Sequence, residues 1–162
     1  LEFMAVRLFF QNSLIDLLLV YNPCKNITSH EFHHYFSQLN LNSIICGDFN
    51  AHHQMWESQK SRSSQNQTGY ALFNEISNDP SLQLATPPDM TTRTDPFTGT
   101  CSTLDLFLVS GHLTRFHSIK SGPDLGSDHF PVVLSYGIPS FMPSLEIRPR
   151  WVFESDKLGK FS

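Results

Sequence analysis

Ser43-Ile44-Ile45-Cys46-Gly47-Asp48-Phe49-Asn50 is the stretch that decides the fold. Its apolar run is too short for a helix and stops at Gly47, so it reads as a buried strand. The strand's C-terminal end delivers Asp48 and Asn50 into a loop, which is where open α/β sheets place their ligands. A carboxylate and an amide two residues apart on an extended chain face the same side. Taken alone, the segment is explained equally well by an Asx turn closing a strand.

Upstream, residues 4–10 and 14–21 are β-branched, aromatic and leucine-rich on either side of Gln11-Asn12-Ser13, the pattern of two strands joined by a polar turn. Tyr21-Asn22-Pro23 breaks the second strand. Thr28 with Glu31 has the spacing of a capping box, and Phe32, Tyr35, Phe36 and Leu39 recur at helical intervals. Downstream, residues 57–67 are polar and serine-rich and read as an exposed loop. Thr68 then caps a second helix carrying Ala71, Leu72, Phe73 and Ile76. Strands follow at 82–86, 91–94, 103–109, 118–121 and 130–136, between Pro-, Gly- and Asp-rich turns. This mixture predicts an α/β domain over residues 4–137. Pro139, Pro143 and Pro149 mark 138–162 as a linker, with Trp151, Val152 and Phe153 starting another element.

At 162 residues, 40% of them hydrophobic, the chain has the size of one ordinary domain. A formal charge of −4 excludes nucleic-acid binding through bulk positive charge, so any such contact is local or metal-assisted. Cys24, Cys46 and Cys101 are widely spaced without a CxxC pair. They read as buried thiols in a reducing compartment, with no disulfide framework or thiolate zinc site. The longest apolar run, residues 14–20, contains Asp16 and falls far short of the roughly 20 residues that span a bilayer, so no membrane association is expected. Leu1-Glu2-Phe3 ahead of Met4 reads as a cloning remnant or an excised end.

Ser127-Asp128-His129 sets a carboxylate and an imidazole side by side before the apolar residues 130–134. Asp-His pairs are common on protein surfaces. Asp105 gives this one weight, because it stands alone in Thr103-Leu104-Asp105-Leu106-Phe107-Leu108-Val109. A carboxylate in such a strand is costly to bury unless paired, and a histidine is its natural partner. Asp105 orienting His129 would make a base dyad. A base, a group for the departing alkoxide and charge neutralisation at the phosphate are what phosphodiester hydrolysis needs.

In chain order, Val20-Tyr21-Asn22-Pro23, Gly47-Asp48-Phe49-Asn50-Ala51-His52-His53 with Trp56, Thr92-Arg93, Ser102-Thr103-Leu104-Asp105-Leu106 and Ser127-Asp128-His129-Phe130-Pro131 resemble the endonuclease/exonuclease/phosphatase superfamily. The likeness is closest to the apurinic-endonuclease-like endonuclease domains of non-LTR retrotransposons. It implies a DNase I-like two-sheet α/β sandwich without its N-terminal strands, residues 4–137 forming the C-terminal two-thirds. An Asn-bearing strand and the Glu that is the principal magnesium ligand would lie upstream of Met4. By the same resemblance His129 is the general base, Asp105 fixes its tautomer, Asp48 handles water or leaving group, and Asn50 meets the scissile phosphate. Tyr21 and Thr92 match phosphate-contacting positions, Asp128 a carboxylate at the metal site, and Arg93 and Ser127 stand beside the substrate. The span 93–100 matches a hairpin that enters a DNA groove, and Arg150 onward a connector towards a reverse transcriptase.

The implied activity is Mg²⁺- (or Mn²⁺-) dependent nicking of DNA for target-primed reverse transcription. The implied setting is intracellular, and nuclear when the target is chromosomal DNA. The same cues occur in phosphomonoesterases of the superfamily, although Trp56 and the Ala51-His52-His53 context favour a nuclease. Without the Glu motif, a catalytically inactive fragment or interaction module is the other reading. His52 and His53, being adjacent, point apart and read as structural or surface residues. Trp56 reads as half-buried packing, and His30, His33 and His34 as the solvent face of the first helix.

Overall fold

The computed structural model describes residues 1–10, 13–111, 113 and 117–137. The turn residues Gln11 and Asn12 and the predicted linker 138–162 lie outside them. In chain order the strands are β1 (Glu2–Phe10), β2 (Ser13–Tyr21), β3 (Ser43–Asp48), β4 (Leu82–Leu84), β5 (Arg93–Thr94), β6 (Cys101–Ser102), β7 (Asp105–Ser110), β8 (His117–Ser121) and β9 (Val132–Tyr136). The helices are α1 (Ser29–Phe36), between β2 and β3, and α2 (Gln67–Asn78), between β3 and β4.

Five strands form a mixed sheet in the order β1-β2-β3-β7-β4. β1 and β2 are an antiparallel pair, β3 runs parallel to β2 after the α1 crossover, and β7 returns antiparallel to β3. One face of the sheet is the core. Leu18, Val20, Ile45, Leu106 and Leu108 pack with Phe32 of α1 and Ala71, Leu72 and Ile76 of α2. Each fully buried side chain of this size is worth about 1.5–3 kcal/mol. The other face carries Met4, Val6, Leu8 and Leu19, which are exposed. β5-β6 and β8-β9 are separate two-stranded ribbons, stitched by a bridge between Arg93 and His129. The α/β class expected from the sequence is present, the strands beyond the five-stranded sheet being these two ribbons among the described residues.

Local chemistry explains the elements. Thr28 Oγ1 accepts from the Glu31 N–H and the Glu31 carboxylate accepts from the Thr28 N–H, closing the expected capping box. Thr68 is not the cap of α2. Asn66 is, its Oδ1 accepting from the Gly69 N–H at 2.8 Å. Thr68 is buried as the second residue of the helix, where its hydroxyl donates to Lys25 O and accepts from the Ile27 N–H. β1 begins at Glu2 rather than Met4, and Phe3 packs on Tyr35. β4 and β5 are shorter than expected: Ala85 and Thr86 both donate to Phe107 O, which ends the β4 ladder. Cys46 is buried as expected and burial pushes its thiol up to about 11, whereas Cys24 and Cys101 are exposed. No helix among the described residues is long and apolar enough to cross a membrane.

Candidate active site

Tyr21, Asp48 and Asp105 form one row across three neighbouring strands. Tyr21 is the register partner of Asp48 across β2-β3, and Asp48 of Asp105 across β3-β7. In-register residues share a face, so the row ends the sheet face opposite the helices. Gly47 makes this possible. At φ +141° it occupies a region open to glycine, and a Cβ there would lie 1.9 Å from Val20 O. The strand can therefore press against β2 and still carry Asp48 at its tip.

Asn50 turns the chain out of the strand with φ 44°. Its N–H donates to Asp48 Oδ1 at 3.0 Å, and its Nδ2 donates to Asp48 Oδ2 at 3.0 Å and to Asn22 O at 2.7 Å. The backbone N–H and one side-chain amide hydrogen of Asn50 thus orient Asp48, while the other side-chain hydrogen ties the loop to Asn22. Asn22, fully buried, donates to Phe49 O and Lys25 O and braces the loop from below. Asn66 fastens the loop to α2, its Nδ2 donating to Asn50 O and its Oδ1 also accepting from the His52 N–H.

His129 reaches Asp105 as the sequence expected: Nδ1 donates to Asp105 Oδ2 at 2.8 Å. β5 and the residue before it organise the pair. The buried Thr92 hydroxyl accepts from the Leu104 and Asp105 N–H groups, both at 2.9 Å, which fixes the strand bearing Asp105. Thr92 is therefore a brace under the site. Thr94 N–H donates to Asp128 O and Phe130 N–H to Thr92 O, so residues 128–130 zip onto β5. Ser127 Oγ accepts from the His129 N–H at 3.2 Å. Tyr21 is half-exposed at the end of the row.

Electrostatics separates the carboxylates. Burial raises the pKa of Asp48 and the nearby Asp105 charge raises it further, outweighing the Asn50 N–H, His129 and Arg93, which lower it. The Arg93 guanidinium, 3.0 Å from Asp128 Oδ2, holds the Asp128 carboxyl below its ordinary range. This bears on the expected magnesium. Asp128 is paired with Arg93, Asp48 is committed to Asn50, and no group of three or more His, Cys, Asp or Glu among the described residues is placed to hold a metal ion. The described donors do not fit a resident divalent cation.

Sequence reasoning missed Glu57, read as part of an exposed loop. It is 3% exposed and accepts from His52 Nδ1, Lys60 Nζ and the Thr103 N–H. The spacing of His52 and Glu57 carries no periodic signal, so only the tertiary contact reveals them. Trp56 is fully buried rather than half-buried, with Nε1 donating to Ala51 O at 2.9 Å. His53 stacks on Phe73, and His30, His33 and His34 are exposed as expected, His33 facing Glu75 across α1 and α2.

The end of the sheet thus gathers a carboxylate-held histidine, a second carboxylate and a bracing asparagine. Residues 15–133 match the family model described as endonuclease-reverse transcriptase, and the chain belongs to that family. Over 108 residues it is 32% identical to a probable RNA-directed DNA polymerase from transposon X-element of Drosophila melanogaster, a match that takes in 67% of this chain and 11% of that protein. The endonuclease domain of TRAS1, a telomere-specific non-LTR retrotransposon, shares the fold. Its TM-score is 0.68 at 18% identity, over 85% of this chain and 64% of that one. The match thus spans only a small part of that curated relative's length.

Proposed function

We propose that this chain hydrolyses phosphodiester bonds in DNA, with Asp105 and His129 activating the attacking water. The observation that carries the reading is the 2.8 Å contact between His129 Nδ1 and Asp105 Oδ2. Because Nδ1 holds its hydrogen towards the carboxylate, Nε2 is left as the acceptor. In the proposed step water gives a proton to Nε2 as its oxygen bonds to phosphorus, and the bond from phosphorus to the 3′-oxygen breaks. Asp48, whose proton affinity burial has raised, donates a proton to that oxygen, leaving a 3′-hydroxyl and a 5′-phosphate. Arg93, whose charge reaches Asp48, offsets charge growing on the phosphate oxygens.

DNA as substrate is supported by the retrotransposon relatives, one an endonuclease domain and one an RNA-directed DNA polymerase. The 3′-hydroxyl left by a nick is what a reverse transcriptase needs as primer, and on chromosomal DNA the chain would work in the nucleus. The test is nicking of supercoiled plasmid, with Mg²⁺ or Mn²⁺ and with EDTA, by the parent chain and by His129→Ala. Loss of nicking in the variant supports the assignment, and nicking that survives His129→Ala overturns it. Since the described donors do not fit a metal, a DNA-binding module without hydrolysis is the second reading. It predicts retention of the plasmid with no nicking in either ion.

A further inference from the structure

One buried carboxylate takes no part in the chemistry above. Glu57 is 3% exposed. Its Oε2 accepts from His52 Nδ1 at 2.7 Å, and its Oε1 from Lys60 Nζ at 2.7 Å and the Thr103 N–H at 3.1 Å. Lys60 Nζ also donates to Ser102 Oγ at 2.7 Å. These partners belong to different parts of the site. His52 follows the loop of Asp48 and Asn50, Thr103 lies two residues before Asp105, and Ser102 is the register partner of Arg93. A parallel tie runs from the Phe49 N–H to Leu104 O at 3.1 Å.

We infer that Glu57 is a positioning residue that sets the spacing between the Asp48 loop and the strand and ribbon that carry Asp105 and Arg93. A buried carboxylate cannot exchange its donors for water, so its three partners are held where their hydrogen bonds to it are best. Burial acts to raise its pKa, but the bonds from His52, Lys60 and Thr103 outweigh this and lower it, so the group is anionic at neutral pH. Small displacements of a base relative to its substrate are costly in rate, so this spacing matters to turnover more than to DNA affinity.

The test is Glu57→Gln in the full chain, well below its melting transition. The His129 ring resonances are followed by NMR, and single-turnover nicking is followed over a range of DNA concentrations. The ring signals are expected to move part of the way towards those of Asp105→Asn. The maximal rate is expected to fall about tenfold while the half-saturating DNA concentration stays unchanged. Lys60→Met, which removes the Lys60 bonds to Glu57 and Ser102 but leaves those from His52 and Thr103, should shift the same signals less, and it serves as the readout if Glu57→Gln does not fold. Unmoved His129 signals in the folded variants, with only the melting temperature altered, overturn the inference. The rate arm rests on the proposed hydrolysis. If the parent chain does not nick, that reading fails and the resonances still decide this one.

Discussion

Asp48 and Asp105 face each other across the β3-β7 ladder, which places two carboxylates from distant parts of the sequence in one row at the end of the sheet. Their repulsion is measurable. Asp105 contributes to the raised pKa of Asp48, while Arg93 and His129 oppose it. In Asp105→Asn, Asp48 should therefore titrate at lower pH than in the parent, and in Arg93→Ala at higher pH. Carboxyl-carbon NMR titration reads both. A carboxylate with a raised folded pKa adds stability only at low pH and loses it as pH rises through that value. Asp48→Asn loses one bond from Asn50 at every pH, and its melting temperature relative to the parent should be higher at neutral pH than in acid, while nicking is abolished.

The contact of Asp105 with His129 makes a second prediction. Asp105→Asn keeps a side chain of the same size but presents an amide where the carboxylate was, so the imidazole loses its fixed tautomer. Nicking should fall by about 10²–10⁴-fold in both Asp105→Asn and His129→Ala, the usual range for loss of a general base. The double variant should be scarcely worse than either single one. Additive losses would show that the two side chains act separately.

Arg93 and Asp128 are both partly exposed, so their ion pair should matter more to the placing of His129 than to global stability. Asp128→Ala should slow nicking while moving the melting temperature little, with the residual effect on stability shrinking as salt is raised. The sign with pH follows from the lowered Asp128 pKa. Whatever the pair contributes is present above the ordinary carboxylate value and disappears as pH falls through the lowered one. A melting-temperature difference between Arg93→Ala and the parent that persists unchanged in strong acid would contradict this origin.

The strand hairpin, both helices and the pairing of Asp105 with His129 were legible in the sequence, because each leaves a local mark. Apolar runs mark β1, β2 and β3, the Thr28 and Glu31 spacing marks α1, and a lone carboxylate in an apolar strand calls for a partner. The bracing residues were not legible. Thr92, Asn66 and Glu57 are polar residues in polar surroundings, and what gives them their bracing role is contact with Asp105, Asn50 and His52 from other elements. The backbone contacts of Thr92 and Asn50 were hidden for the same reason. A short polar side chain near a site either meets substrate or satisfies backbone groups, and only the fold decides which.

Trp56 offers a check on that distinction. With its ring fully buried and its N–H bonded to Ala51 O, it is placed to pack rather than to stack on a base. Trp56→Ala should destabilise the fold by about 3–5 kcal/mol, and Trp56→Phe by much less. Denaturant unfolding measures both. DNA affinity of the folded Trp56→Phe chain should match the parent, and a marked loss would instead give Trp56 a direct part in binding.

Gly47 joins fold and site most tightly. Its φ of +141° and the 1.9 Å separation from Val20 O to a would-be Cβ leave no room for a side chain, and the atom in the way belongs to the backbone of the neighbouring strand. Gly47→Ala should cost about 3 kcal/mol or more, since β3 must move away from β2 or change its conformation. Either response displaces Asp48, the next residue, from its row with Tyr21 and Asp105. The variant should therefore unfold at lower denaturant and, at temperatures where it is still folded, nick more slowly than its stability alone accounts for. Gly126, also at positive φ but with nothing within 4 Å of a built Cβ, is the matched control. Gly126→Ala carries the conformational strain without the clash, so if Gly47→Ala loses no more stability than Gly126→Ala, close packing of β2 on β3 is not what Gly47 provides.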